Sequence, residues 1–569
     1  MGKPERIRIA RGLQKAPLVL KHARVLNVFS GAIDNCDVAI AEGFVVGLGD
    51  YDGIVEIELG GMYVSPGFID GHVHIESSML TPPQFARTVL PWGTTAVIAD
   101  PHEIGNILGV KGVEYMIRAA RQAPLDVFMM IPSCVPTTPF ETAGAKIGPA
   151  DVKRLLKNPA VLGLGEVMDY PQVLAGGSVI LAKIAAVGTR PVDGHSPAVS
   201  GKDLSAYVGA GIMTDHECRT PEELTERVRL GQYVHLREGS HTRNLLSLLP
   251  AVDIRNSRRI TFCTDDKHPA DIQVEGHISH NIELAIQNGV DPVEAIRMAT
   301  LNIADCYGLS DRGAVAPGYR ADLVVFDDLC KIRPAAVFKD GVLVAKDGTA
   351  LFDVKPLPCK SVVNTVRVRP DRVSLDLRLS GPVVKVIGLD PRNASTTKLV
   401  RTVKVENGLF VNDPARDLLK LAVIERHRNT GNVGLALVEG YRLKGGAVAM
   451  TIAHDSHNLI VIGDSDRDMH VAIAKTVAIG GGIVLVKDGV VAECLPLEVG
   501  GIMTTEDASV VVAKLESMRV VIRTMGVDPD LDDPFLALAF LSLPVIPELK
   551  LTDKGLFDVP SFTLVAIEE

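Results

Sequence analysis

The feature that most constrains this chain is an alternation that runs from Pro66 to Asp311. Apolar stretches such as "TTAVIAD", "LDVFMMIPS", "AVLGLGEV", "RPVDGHS" and "RRITFCTDD" take turns with segments of helical period, among them "GVEYMIRAARQ" and "DPVEAIRMATLNIADCYGL". Strand then helix, repeated over roughly 245 residues, suits a closed (β/α)8 TIM-type barrel, for which about 250 residues is typical. A doubly wound open sheet is the alternative reading of the same pattern.

The flanks read differently. Between Leu18 and Tyr63, short β-branched runs separated by Gly, Asp and Asn turns point to a small antiparallel sheet. The texture returns between Ala321 and Gly348, where "KDG" is a hairpin signal. The expected organisation is an α/β chain with residues 1–65 as one half of a small β-sandwich domain, 66–311 as the barrel, 312–362 as the second half, and 363–569 as a C-terminal α+β domain. In that last part "VRVRPDRVSLDL", "PVVKVIGLD" and "KLVRTVKVENGLFV" read as strands, and "EDASVVVAKLESMRVVIRTMG" as a helix.

Composition narrows the function classes. A hydrophobic fraction of 47% with 22% charged residues is that of a globular protein. The net charge of -10 disfavours a non-specific grip on nucleic acid, so the expected partner is a small molecule. The eight cysteines are scattered without a Cys-x-x-Cys pair, which reads as reduced thiols. No apolar run approaches the roughly eighteen residues that span a bilayer, and the N-terminus has no apolar signal core. A cytoplasmic protein with no membrane association is expected, with a symmetric homo-oligomer, dimer or tetramer, as its default assembly.

Chemistry-bearing residues sit where the apolar strands run out. In "PGFIDGHVHIESSM", His72 and His74 are one residue apart, so on a strand both imidazoles project to the same side. Taken alone the pair has a bland reading, as satisfied polar side chains. Four further residues share its position: Glu166 in "VLGLGEVMD", His195 in "RPVDGHSP", His216 in "GIMTDHEC" and Asp265 in "ITFCTDD". From His74 to Glu166 is 92 residues, or three βα units of about 31, which places Glu166 on strand four. The next intervals, of 29, 21 and 49 residues, fit strands five, six and eight. In a barrel all these ends lie on one rim. Imidazoles and carboxylates without a thiolate suit two divalent ions, with Zn, Mn and Fe all permitted and one carboxylate bridging. Such a pair brings the pKa of a bound water from 15.7 toward about 7, so hydrolysis is the expected chemistry. Asp265 is placed to take that water's proton and pass it to a leaving nitrogen.

The set "PGFIDGHVHIESSM", "DPHEIGN", "GEVMDYP", "DGHSP", "DHE" and "CTDD" resembles the amidohydrolase superfamily, and within it the adenine deaminases. The resemblance runs through the whole barrel and extends to "AHDSHN" in the C-terminal part. It implies hydrolytic removal of the 6-amino group of adenine, with hypoxanthine and ammonia as products. It also implies His72, His74, Glu166, His195, His216 and Asp265 as metal positions, and manganese ahead of iron or zinc. Many amidohydrolases bridge their metals with a carboxylated lysine, whereas here the fourth strand offers Glu166.

Addition of water at C6 of the purine needs an acid or hydrogen-bond donor for the ring nitrogens. The candidates are Glu217 beside His216, and Asp100, His102 and Glu103 of "DPHE" at the end of a probable second strand, each with an equal reading as a helix cap or surface charge. Asp266 either caps the next segment or faces the pocket. Asp265, Glu166 and Glu217 are thus the expected catalytic residues, with Asp100, His102, Glu103 and Asp266 on the substrate side. The stretch "YVHLREGSHTRN" reads as an Arg237–Glu238 surface pair with Ser240 as a cap. His454, Asp455, His457 and Asn458 precede an apolar strand and are expected to serve a further metal, an interface or loop packing. The competing functions are hydrolysis of another cyclic amide or N-acyl compound, and a metal-free scaffold on the same fold.

Overall fold

Eight short parallel strands account for the alternation in a computed structural model of the protein, which describes residues 2–355, 357, 360–391, 395–531 and 533–569. They are β1 (Phe68–Val73), β2 (Thr94–Ala99), β3 (Asp126–Ile131), β4 (Val161–Val167), β5 (Val192–Gly194), β6 (Thr214–Asp215), β7 (Tyr233–Arg237) and β8 (Ile260–Cys263). Strands β1 to β5 are hydrogen-bonded in chain order, as are β6 to β8. Met213 N–H donates to Val192 O at 3.0 Å across the first seam. Asp265 N–H donates to His72 O at 2.9 Å across the second, where Val73 bridges Asp265 in parallel. The circle is therefore closed, and the open-sheet alternative is excluded. Closure buries both faces of a strand such as Thr94–Ala99, every residue of which is buried; this is why the sequence runs apolar there rather than alternating.

The crossover helices follow their apolar spacing. In Val110–Ala120, Val113, Met116, Ile117 and Ala120 share one face and are buried. The helix expected along "DPVEAIRMATLNIADCYGL" is instead two, Pro292–Met298 and Leu301–Tyr307. The break falls at Ala299, whose carbonyl accepts from Ile69 N–H of β1 at 2.9 Å instead of continuing the helix.

The two β-rich flanks join into one nine-stranded sheet, in which Tyr63–Pro66 pairs antiparallel with Leu323–Phe326. Its long strand Ala16–Asn27 carries an irregularity between Leu20 and Ala23, pairing with Gly53–Glu58 along one half and with Tyr63–Pro66 along the other. Leu20, Val25, Val38, Val45, Val64 and Leu323 form its main core, while Val19, Ala39 and Val46 on the opposite parity pack against Ile9 of the helix Lys3–Ala10.

The C-terminal part is built on an eight-stranded sheet. Ala508–Thr524 is the expected helix, with Asp507 accepting from Ser509 N–H at its start. The stretch "VRVRPDRVSLDL" is not a strand: Pro370 opens a 3-10 turn, and Arg367 N–H makes a single bond to Arg426 O while Val366, Val368 and Leu375 pack into the core beneath. This part sits on the rim formed by the C-terminal ends of the barrel strands. Leu80 bridges Thr504, Asn458 Nδ2 donates to Thr142 O, and Thr142 N–H donates to Asp553 Oδ1, tying it to the loops after β1 and β3. The seven described cysteines are free, and Cys359 lies outside the described residues. Among the described residues no helix is long and apolar enough to cross a membrane.

Candidate metal centre

Each residue expected at a strand end is found there, and six of them converge. His74 directly follows β1, Glu166 lies on β4, His195 and His216 follow β5 and β6, and Asp265 lies just past β8. Asp265 takes a left-handed backbone conformation, φ 60°, which Asp tolerates better than most residues. Its amide bonds to His72 O and its carbonyl to His74 N–H at 3.0 Å, fixing the side chain against the His-x-His pair.

The Nε2 atoms of His72 and His74 are 3.2 Å apart. Asp265 Oδ1 lies 3.0 Å from His74 Nε2 and 3.5 Å from His72 Nε2. Glu166 Oε1 lies 3.2 and 3.8 Å from the same two nitrogens. Its other oxygen, Oε2, faces the opposite way, 2.8 Å from His195 Nδ1 and 3.4 Å from His216 Nε2. One carboxylate thus serves two groups of donors.

These donors fit divalent cations. Ligands about 2.0–2.2 Å from a tetrahedral ion are about 3.3–3.6 Å from each other, close to the separations found here. His74 Nδ1 bonds to Asp100 O at 2.8 Å, which places its proton on Nδ1 and leaves the Nε2 lone pair aimed at the cluster. Buried triples His72–His74–Glu166 and His72–His216–Asp265, with Glu166–His195–His216 beside them, bring their ligand atoms within 4.8 Å of one another.

The electrostatics keep the set ready. Burial opposes the charge on Glu166, but His195, His216 and His74 outweigh it and hold the carboxyl well below the usual range. Burial is likewise overcome at Asp265 by Arg237, His72 and His74. Glu217, with Oε1 3.5 Å from His216 Nε2, is brought down to about 2 because Arg237 and His195 prevail over its burial.

The residues expected on the substrate side divide into two kinds. Asp100 turns inward, its Oδ2 accepting from Glu166 N–H at 3.0 Å. His102 Nδ1 stands 3.4 Å from Glu166 Oε1 and its Nε2 3.8 Å from Asp455 Oδ1. Ser77 Oγ lies 3.0 Å from Glu103 Oε1 and also contacts Asp266 Oδ1, its single proton serving one of the two, and the carboxyls form an acidic group beside Glu76. Burial raises all three carboxyls, Glu76 to about 6, and Glu103 is raised further by Glu76 and Asp266. These carboxyls hold their protons more readily than Glu217 does.

Two features escaped the sequence reading. Arg237 and Glu238 are not a surface pair: both are buried, and Arg237 Nη1 donates to Glu217 Oε1 and to Asp265 Oδ2 at 2.7 Å. Nor does Ser240 cap a helix, since its hydroxyl binds Asp271 and His268 N–H. The available signal was positional, because Arg237 ends β7 as the other site residues end theirs. The second feature is the reach of "AHDSHN" into the barrel. His454 Nδ1 lies 3.4 Å and His457 Nε2 3.8 Å from the Glu103 carboxylate, and Thr137 Oγ1 donates to Asp455 at 2.7 Å. His457 Nδ1 accepts from Ala453 N–H at 3.2 Å, so its proton sits on Nε2 and no lone pair there faces Glu103. The trio brings the C-terminal domain against the barrel, and the proton on His457 Nε2 leaves it poorly disposed to hold a cation there.

Residues 63–344 match the model of the amidohydrolase family, and residues 393–563 match that of the adenine deaminase C-terminal domain. An adenine deaminase 2 of Carboxydothermus hydrogenoformans is 47% identical over 564 residues, covering 99% of this chain and 98% of that one. This chain belongs to the adenine deaminase family. The adenine deaminase of Nitratidesulfovibrio vulgaris is 48% identical, covering 98% of both chains, and that of Clostridium acetobutylicum 46%, covering 98% and 99%. The similarity to adenine deaminases therefore takes in the barrel, the joined β-sheet and the C-terminal domain together.

Proposed function

We propose that this chain hydrolyses adenine to hypoxanthine and ammonia, using two divalent cations, manganese ahead of iron or zinc. The observation that carries the cation pair is the Glu166 carboxylate, whose two oxygens face separate imidazole groups. His72, His74, Glu166 and Asp265 would hold one ion, and Glu166, His195 and His216 the other. When bound, these ions would acidify a water and withdraw electron density from the substrate.

The protein's own groups supply the remaining steps. Water oxygen bonds to C6 of adenine as the C6–N1 double bond opens; one of its protons passes to Asp265, and the other ends on N1 as the C6 hydroxyl becomes the carbonyl of hypoxanthine. Asp265 then returns its proton to N6 as the C6–N6 bond breaks and ammonia departs. Glu217, kept ionised by Arg237, accepts a hydrogen bond from the 6-amino group rather than donating one. Glu103 and Asp266, which retain protons more readily, donate to the ring nitrogens where negative charge gathers. Free thiols at all seven described cysteines support a reducing compartment such as the cytoplasm. The test is ammonia release from adenine by protein loaded with Mn, Fe or Zn. Absence of turnover with all three, alongside hydrolysis of a cyclic amide or N-acyl compound, would replace adenine as the substrate.

A further inference from the structure

Arg237 is buried at the rim and touches no reacting atom in the proposed chemistry. It ends β7, between Glu217 beyond β6 and Asp265 beyond β8, and its Nη1 bonds to both carboxylates. Its backbone is fixed from the neighbouring loop. Arg237 N–H donates to Asn244 Oδ1 at 2.7 Å, while Asn244 Nδ2 donates to His216 O and Cys218 O at 3.0 Å. The loop after β7 is thereby tied to the loop after β6.

Stability alone does not explain a guanidinium here. Its Nε has no hydrogen-bond partner among the described residues, and leaving a buried donor unmet is costly. It also sets a permanent positive charge beside the atoms that would hold cations. The benefit lies in the carboxylates. The Cβ–Cγ torsion of an aspartate is broad, so an untied Asp265 would turn its oxygens freely. With Oδ2 bonded to Arg237, Oδ1 stays on the His72–His74 pair.

We propose that Arg237 is a positioning residue whose Nη1 clamps Asp265 and Glu217 together, presenting Asp265 Oδ1 to the cation site and holding Glu217 beside His216. This rests on the cation-holding reading of the rim, and on adenine only through turnover. The full-length protein is compared with Arg237→Gln and Arg237→Lys by chelator competition for Mn and by adenine kinetics. Arg237→Gln is expected to bind Mn about 10- to 100-fold more weakly and to lose kcat by at least as much, with KM moving less than about threefold. Arg237→Lys, which keeps a donor and a charge, falls between the two and carries the test if the glutamine variant does not fold. Mn affinity and kcat both within about threefold of the parent in a folded variant would overturn the clamp. So would equal losses in both variants that track an equal fall in melting temperature. A parent inactive on adenine whose glutamine variant still loses Mn affinity would sink the adenine reading and leave the clamp standing.

Discussion

Glu166→Gln is the sharpest perturbation of this site, because it removes one charge and one acceptor while keeping the side chain's shape. An amide has a single oxygen, so it can serve one of the two donor groups but not both. If the amide oxygen stays with His74, as Oε1 does at 3.2 Å, the NH2 group faces His195 and His216, where Oε2 stood at 2.8 and 3.4 Å. The variant thus loses the one charged contact that Oε2 would make to a cation held by His195 and His216, and a contact to a charged group contributes about 1.5–3 kcal/mol. At about 1.4 kcal/mol per decade, that is a fall of roughly ten- to a hundredfold in cation affinity at the His195–His216 side. Elemental analysis of the reconstituted variant should find one cation per chain where the parent holds two, with adenine turnover reduced by a comparable factor. Two tightly held cations in the variant, with turnover within about tenfold of the parent, would refute the assignment of Glu166 as the shared carboxylate.

Asp265→Asn should lower kcat by about a hundred- to ten-thousandfold with circular dichroism unchanged; near-normal turnover would show that the proton passes elsewhere. At Gly165 an added Cβ would lie 2.1 Å from Asp100 Oδ2, so Gly165→Ala should push Asp100 off the Glu166 amide and cost at least about tenfold in turnover, measured beside cation content. His268, whose pKa the nearby Asp533 raises against the opposing effect of burial, gives the contact between barrel and C-terminal domain a stability that is complete below about pH 6.5 and is lost as pH rises through its folded value. The melting-temperature gap between the parent and His268→Asn should therefore narrow between pH 6 and pH 9, whereas a constant or widening gap would reject the pair's role.

The barrel was legible because its signal repeats. A strand buried on both faces must be apolar, and the polar residue that ends it must lie on the rim, so intervals of 92, 29, 21 and 49 residues could be turned into strand numbers without coordinates. Local chemistry misled where a contact distant in sequence intervened. Ala299 breaks a helix of good period because its carbonyl is taken by β1, and "VRVRPDRVSLDL" has strand composition but meets a strand only at its end, where Leu377 O accepts from Phe410 N–H.

The amino-acid sequence alone determined which residue types reach the rim, through the two-residue period of a strand and the repeat of the βα unit. Only the tertiary structure decided how they divide the work: that Glu166 turns its two oxygens to different imidazoles, that Arg237 joins two carboxylates, and that His454 and Asp455 enter the barrel from the C-terminal domain. The reason is physical. Periodicity fixes the direction in which a side chain leaves its own strand, whereas the partner it meets depends on how the strands close into a ring and on what covers that ring.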